Sequence, residues 1–291
     1  MTIDGEQGPF FGRGSEGETC FVVRSFSAHP HKSPRSTREL ELILDTECKF
    51  TIDGSERTML SNVLVCKSTD ETELSAFIRL CAAFAGDDLN SRSMAELFSA
   101  LTRMLTAERR SDPRTVSGLF GELYTIYYLD SRGIDVSGYW QRKDLMKFDF
   151  SLDPEKRMEV KTTSGQERRH HFRHEQLYYE DYDIMVVSVM LREANQGISV
   201  LDLANYGRRR YASDLARLSI IESRLAGHSD AELAKAVYDA PYLEGNIRFI
   251  PASEVPRFKE KSPGNLTNAE YDCNLDGTAG ITLDRLAQWI P

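Results

Sequence analysis

Apolar and polar residues change period several times along this chain, and each change marks an element. Glu39-Leu40-Glu41-Leu42-Ile43-Leu44, Lys49-Phe50-Thr51-Ile52 and Val63-Leu64-Val65-Cys66 are strand-like runs. With Asp53-Gly54 as a turn, they predict a small β-meander. Helical spacing takes over in Glu71 to Ala85 and Met94 to Glu108. A third helix is predicted from Arg114 to Ser131, where Leu119, Leu123, Ile126 and Tyr127 form a stripe that Phe120, Tyr124 and Tyr128 widen. A period of two returns in Phe148-Asp149-Phe150-Ser151-Leu152 and in Met158-Glu159-Val160-Lys161, and Asp153-Pro154 between them reads as the turn of a β-hairpin. Asp183 to Leu191 is almost unbroken in apolar residues, as suits a central strand buried on both faces. Ser213 to Gly227 and Asp230 to Tyr238 are amphipathic helices, the second capped by Ser229, and Asn246 to Pro251 is a late strand.

These elements divide the chain. Residues 1–36, rich in Gly, Ser, Pro and His, read as an irregular arm, and 37–112 as an accessory β/α module for target recognition or self-association. The helix, hairpin and central strand belong to a larger domain over 113–291. A chain of 291 residues has ample length for a core. The net charge of −9 argues against a broad electrostatic footprint on nucleic acid. Local basic clusters remain at Arg103 to Arg114, Lys156 to Arg173 and Arg208-Arg209-Arg210. Five dispersed cysteines, without metal-type spacing, suit a reducing cytoplasm. No apolar stretch approaches membrane-spanning length.

Candidate chemistry sits in the hairpin. The alternation puts Asp149 on the polar face of the first strand and Glu159 with Lys161 on that of the second. Two carboxylates a few ångströms apart repel unless a cation lies between them, and hard oxygen ligands suit Mg²⁺, with Mn²⁺ able to substitute. Lys161 would face the same cluster, where it could orient a water or stabilise a pentavalent phosphate. A solvent-facing hairpin with charges alternating by chance gives the same pattern, since 28% of the residues are charged. On the preceding helix Glu122 follows Gly121 and lies one turn beyond Gly118. Glycine inside a helix costs roughly 1 kcal/mol, so a close approach by another segment, a metal or a phosphate is expected there. A lone helix glutamate is otherwise usually solvated.

Asp149 with Glu159-Val160-Lys161 resembles the PD-(D/E)xK nuclease signature, Phe148 standing where that signature often has proline. Gly121-Glu122-Leu123 resembles the acid-bearing helix that precedes its core sheet. The resemblance covers residues 114 to 195 and touches Phe249 to Phe258. It implies an α/β fold with a restriction-endonuclease-like core, a mixed central sheet flanked by helices. It also implies a Mg²⁺-dependent DNA endonuclease in which Asp149, Glu159 and the Val160 carbonyl bind metal and Lys161 positions the attacking water. Glu122 would join through a water or hold a second ion. The chain as a whole is similar to bacterial proteins of phage-defence and restriction-modification-like loci, which implies a DNA methyltransferase and an ATPase as partners. The alternative is a DNA- or partner-binding subunit of such a complex that does not cut. Retention of Asp149, Glu159 and Lys161 argues against it.

Beyond the hairpin, Lys156 to His174 holds six Lys/Arg against two acids. Gln166, Arg168, Arg169 and His170 are therefore candidates for DNA phosphate contacts. Phe172 and Tyr178-Tyr179 could stack on a displaced base. His170, His171 and His174 lack the cysteine pair and the spacing of a zinc site. One such centre cuts one strand, so double-strand cleavage calls for a homo-oligomer, with the apolar residues of Phe98 to Leu105 as a candidate contact surface.

Overall fold

The structure is a computed structural model and describes residues 8–27, 32–52, 54–85, 89–107, 116–140, 148–260 and 268–291. Asp53 of the expected turn, the basic pair Arg109-Arg110 and the expected helix start at Arg114 lie outside the described residues. The chain forms two compact units, Met1–Ser111 with Arg210–His228, and Asp112–Arg209 with Ser229–Pro291. The second part expected over 113–291 is thus interrupted, because the segment Arg210–His228 returns to the first unit.

In the first unit, β1 (Phe10–Arg13), β2 (Thr19–Arg24), β3 (Lys32–Ser36), β4 (Leu40–Ile52) and β5 (Ser55–Cys66) form one antiparallel sheet in the order β1-β2-β5-β4-β3. The expectation of an irregular arm over residues 1–36 is corrected here, since three of the five strands come from it. Its Gly- and Ser-rich loops dilute the composition, while Phe21, Val22 and Val23 are buried in β2 and the Phe11 ring lies 5.2 Å from that of Phe21. The two runs read as separate strands around Asp45 are one strand. Asp45 adopts φ +50° at a bulge, its N–H donates to Asn62 Oδ1 (2.8 Å), and its buried carboxylate accepts from Ser25 Oγ (2.5 Å).

Helices α1 (Glu71–Phe84) and α2 (Ser91–Ala107) follow, α1 started by Asp70, whose carboxylate accepts from the Thr72 and Glu73 N–H groups. Phe77, Leu80, Met94, Leu97 and Leu101 join Phe21, Leu40, Leu42 and Leu64 of the sheet in one core. Burying each such side chain contributes about 1.5–3 kcal/mol. Phe98, Met104 and Leu105 belong to that core too, which removes them as a free contact surface.

The second unit begins with α3 (Val116–Asp130), then β6 (Phe150–Ser151), β7 (Lys156–Thr163), β8 (Arg169–Arg173), β9 (Asp183–Met190), β10 (Glu193–Ser199) and α4 (Val200–Arg210). Helix α5 (Leu215–Leu225) packs in the first unit, where Arg79 of α1 makes a two-pronged ion pair with the buried Glu222 (3.0 and 3.2 Å). The chain then gives α6 (Asp230–Lys235), β11 (Val237–Tyr238), α7 (Ala240–Gly245), β12 (Ile247–Pro251), β13 (Glu270–Asn274) and α8 (Leu283–Trp289). Helix α6 carries the expected Ser229 cap but stops at Lys235, because Val237 and Tyr238 pair with β10.

The central sheet runs β12-β9-β7-β6, with β7 parallel to β9 and the outer pairs antiparallel. Every residue of β9 after Asp183 is buried, as its apolar run predicts. Strand β8 lies outside this sheet and pairs with β13. Among the described residues no helix is long and apolar enough to cross a membrane.

Candidate active site

Strand β7 presents two faces. A Cβ placed on Gly121 of α3 would lie 2.3 Å from Thr162 Cγ2 and 3.2 Å from Val160 Cγ1, so α3 rests directly on the Val160–Thr162 face. That contact explains the helix glycine: it admits the strand. Glu159 and Lys161, one residue out of phase, belong to the opposite face.

Asp149 precedes β6, held between the buried Phe148 and Phe150. The β6–β7 ladder pairs Phe150 with Met158 and Ser151 with Arg157, and beyond it the Asp149 carboxylate accepts the Val160 N–H at 2.8 Å. A side chain thus continues the ladder and fixes this acid beside Glu159. A residue's N–H and C=O point to the same side of an extended strand, so the Val160 carbonyl faces the edge on which Asp149 lies.

Glu159 is 4% exposed. Its carboxyl is pushed up to about 8, first by burial and then by the charge of Asp149, with Lys161 pulling the other way. Lys161 Nζ lies 2.9 Å from Glu159 Oε1. Gln176, closing a 3₁₀ turn over His174–Gln176, joins the two: its Nε2 donates to Glu159 (2.5 Å) and its Oε1 accepts from Lys161 Nζ (3.0 Å) and from the Arg173 N–H (3.0 Å). Sequence reasoning missed Gln176, which follows the hairpin by a whole strand and turn. The only available signal was a neutral amide in a charged stretch.

Glu122 is buried, and its Oε2 accepts from the Trp140 indole N–H at 2.6 Å. Trp140 in turn bridges to Phe150, so the glutamate fastens α3 to the strand that carries Asp149. Among the described residues no group of three or more His, Cys, Asp or Glu side chains is placed to hold a metal ion. Glu122 is thus engaged by Trp140, and the groups that could hold an ion on this edge are Asp149, Glu159 and the Val160 carbonyl. Two carboxylates and a carbonyl, one carboxyl raised by burial and by the charge of the other, fit a hard divalent cation that keeps several of its waters.

Over residues 6–276 the chain matches the family model described as "Putative PD-(D/E)XK family member, (DUF4420)". The chain belongs to this family. No curated protein and no solved structure matches it. The mixed sheet flanked by helices is the restriction-endonuclease-like α/β fold of PD-(D/E)XK proteins, and membership points to a nuclease. Asp149, Glu159 and Lys161 are the three residues that the hairpin gathers.

The basic run beyond the hairpin does not serve this PD-(D/E)XK protein as expected. Arg168 is fully buried, donating to the Ser188 carbonyl (2.8 Å), Ser188 Oγ (2.8 Å) and the Asn246 carbonyl (3.0 Å). His170 is buried against the same Ser188 Oγ (2.6 Å) and is pushed down to about 4, mainly by burial. Neither reaches a phosphate; both brace β8 against β9. Gln166 and Arg169 are exposed, but Arg169 pairs with Glu167 (2.8 Å). The remaining outward Arg and His side chains of β8 face acids on β13, Arg173 with Glu270 (3.2 Å) and His171 with Asp272 (3.0 Å). The run is basic in sequence and largely neutralised in space. Phe172, expected to stack on a base, is fully buried.

Arg168→Ala should therefore unfold rather than merely weaken DNA binding. Removing a buried guanidinium and three bonds is expected to cost about 3 kcal/mol or more, whereas Arg169→Ala, at an exposed position, should leave stability close to the parent's. Urea midpoints of the two variants check this, and equal stabilities would contradict it.

Proposed function

We propose that this protein is a Mg²⁺-dependent DNA endonuclease that hydrolyses phosphodiester bonds. The observation that carries the reading is the convergence of Asp149, Glu159 and Lys161 on one edge of β7, where burial first and the neighbouring Asp149 second raise the proton affinity of Glu159. Asp149, Glu159 and the Val160 carbonyl would hold the ion. When bound, Mg²⁺ supplies Lewis-acid polarisation of the phosphate. Lys161 orients the attacking water and offsets charge that develops on the phosphate oxygens. Gln176 holds Lys161 and Glu159 in register, so the cation and the ligand stay adjacent while substrate enters.

The biological setting belongs to the same proposal: a phage-defence or restriction-modification-like system, with a methyltransferase and an ATPase as partners. Double-strand cutting would pair two copies, one centre for each strand. A non-cleaving binding subunit remains the competing reading. Incubating the purified chain with plasmid in Mg²⁺, Mn²⁺ or EDTA separates them: nicked or linear products with either metal and none with EDTA support the enzyme, and intact plasmid in every condition supports the binder.

Ion binding should depend on pH in a stated direction. Below about 8 the Glu159 carboxyl holds a proton that the ion must displace. Mn²⁺ affinity is therefore expected to rise with pH, by roughly tenfold per unit for one displaced proton, and to level off above about 8. In the metal-free fold the sign is opposite. The folded state binds this proton more tightly than the unfolded chain, so stability from this group falls as pH rises from the ordinary glutamate range through about 8. Calorimetric titration on both sides of that value is the check, and a flat affinity profile would contradict the assignment of Glu159.

A further inference from the structure

Resting on the nuclease reading, we propose that Arg257-Phe258-Lys259 grips an unpaired stretch of the DNA strand, Phe258 stacking on a nucleobase and the two cations lying against flanking phosphates. Phe258 is 69% exposed, and its ring stands edge-on to Tyr271 at 5.2 Å and 88°. Tyr271 is fixed in turn, its hydroxyl within 3.1 Å of His174 Nδ1. His174 stacks on Tyr178 at 5.6 Å and 19°, and both flank Gln176, which touches Glu159 and Lys161. A rigid aromatic support thus runs from the catalytic edge to an outward phenyl ring.

Charge supplies the second argument. Arg169 and Arg173 of β8 are paired with acids, whereas among the described residues no ion pair is found for Arg257 or Lys259 beside Phe258. Lys259 is exposed. Arg257 donates to the Leu177 carbonyl (2.6 Å) and lies over the Tyr178 ring at 5.4 Å, which leaves further N–H groups for an anion. An exposed ring between two cations is the arrangement that binds single strands, with backbone charge met on each side and a base on the π face. Duplex bases are already stacked on one another and present no face to such a ring, so the occupant is an unpaired segment.

Fluorescence anisotropy with the full chain in EDTA tests this, using a labelled single strand and the same sequence as a blunt duplex. Phe258→Ala should weaken single-strand binding by roughly ten- to a hundredfold and leave duplex binding unchanged, while Phe258→Trp should retain the parent's affinity. Lys259→Ala should reduce the salt slope on the single strand by about 0.7. If Phe258→Ala binds the single strand as the parent does, or loses both forms equally, the platform is overturned. Mg²⁺-dependent cleavage by the parent would then leave the nuclease reading standing. A parent that neither binds nor cuts either form removes both.

Discussion

Asp149→Asn should bring cleavage below detection while leaving the protein folded. The substitution removes one of the two carboxylates proposed to hold the ion, and burial still pushes the remaining Glu159 carboxyl up towards its protonated form, so little ion is retained at neutral pH. Loss of several kcal/mol of Lewis-acid stabilisation corresponds to a thousandfold or more in rate. The fold survives because an asparagine Oδ1 can still accept the Val160 N–H that Asp149 takes at 2.8 Å. The structural cost is that of one weakened hydrogen bond, about 1 kcal/mol. DNA affinity should hold or rise slightly, since one negative charge beside the phosphate is gone. Gel assays of cleavage, beside thermal melting and a DNA-binding isotherm, separate these effects. A variant that melts far below the parent would mean that the carboxylate is structural.

Lys161→Ala is the second large effect, and it acts on rate rather than on the ion. Lys161 reaches Glu159 at 2.9 Å and Gln176 at 3.0 Å, so it stands beside the proposed metal ligands without being one. Removing a group that stabilises developing charge is worth roughly a hundred- to a thousandfold in rate. Loss of the ammonium also leaves Glu159 with less compensation, so the comparison belongs at saturating Mg²⁺. Undiminished cutting by Lys161→Ala would sink the catalytic assignment and favour the binding-subunit reading.

The hairpin was legible in the sequence because one face of each strand is buried. Phe148, Phe150, Leu152 and Met158 are all at most 5% exposed, and that alternation fixes where Asp149, Glu159 and Lys161 point. The central strand declared itself in the same way, through Ile184 to Met190. What composition hid was pairing between distant segments. Arg168 looks like any surface arginine until Ser188 and Asn246 close around it, and the acids that pair with Arg173 and His171 come from β13, 97 and 101 residues on. Glu122 was read correctly as unusual, but its partner Trp140, whose indole N–H it accepts, lies eighteen residues later and gave no signal beside it in the sequence. The strands of the N-terminal segment were obscured by their own loops. The bulge at Asp45, held by Asn62 and Ser25, looks in sequence like a break.

Crystals soaked in Mn²⁺ and measured at the manganese absorption edge test the central claim most directly. The account predicts an anomalous peak at about 2.1 Å from the carboxylates of Asp149 and Glu159 and from the Val160 carbonyl, lost in Asp149→Asn. A saturating soak that leaves this edge of β7 empty, with Glu159 still paired to Lys161, would contradict it.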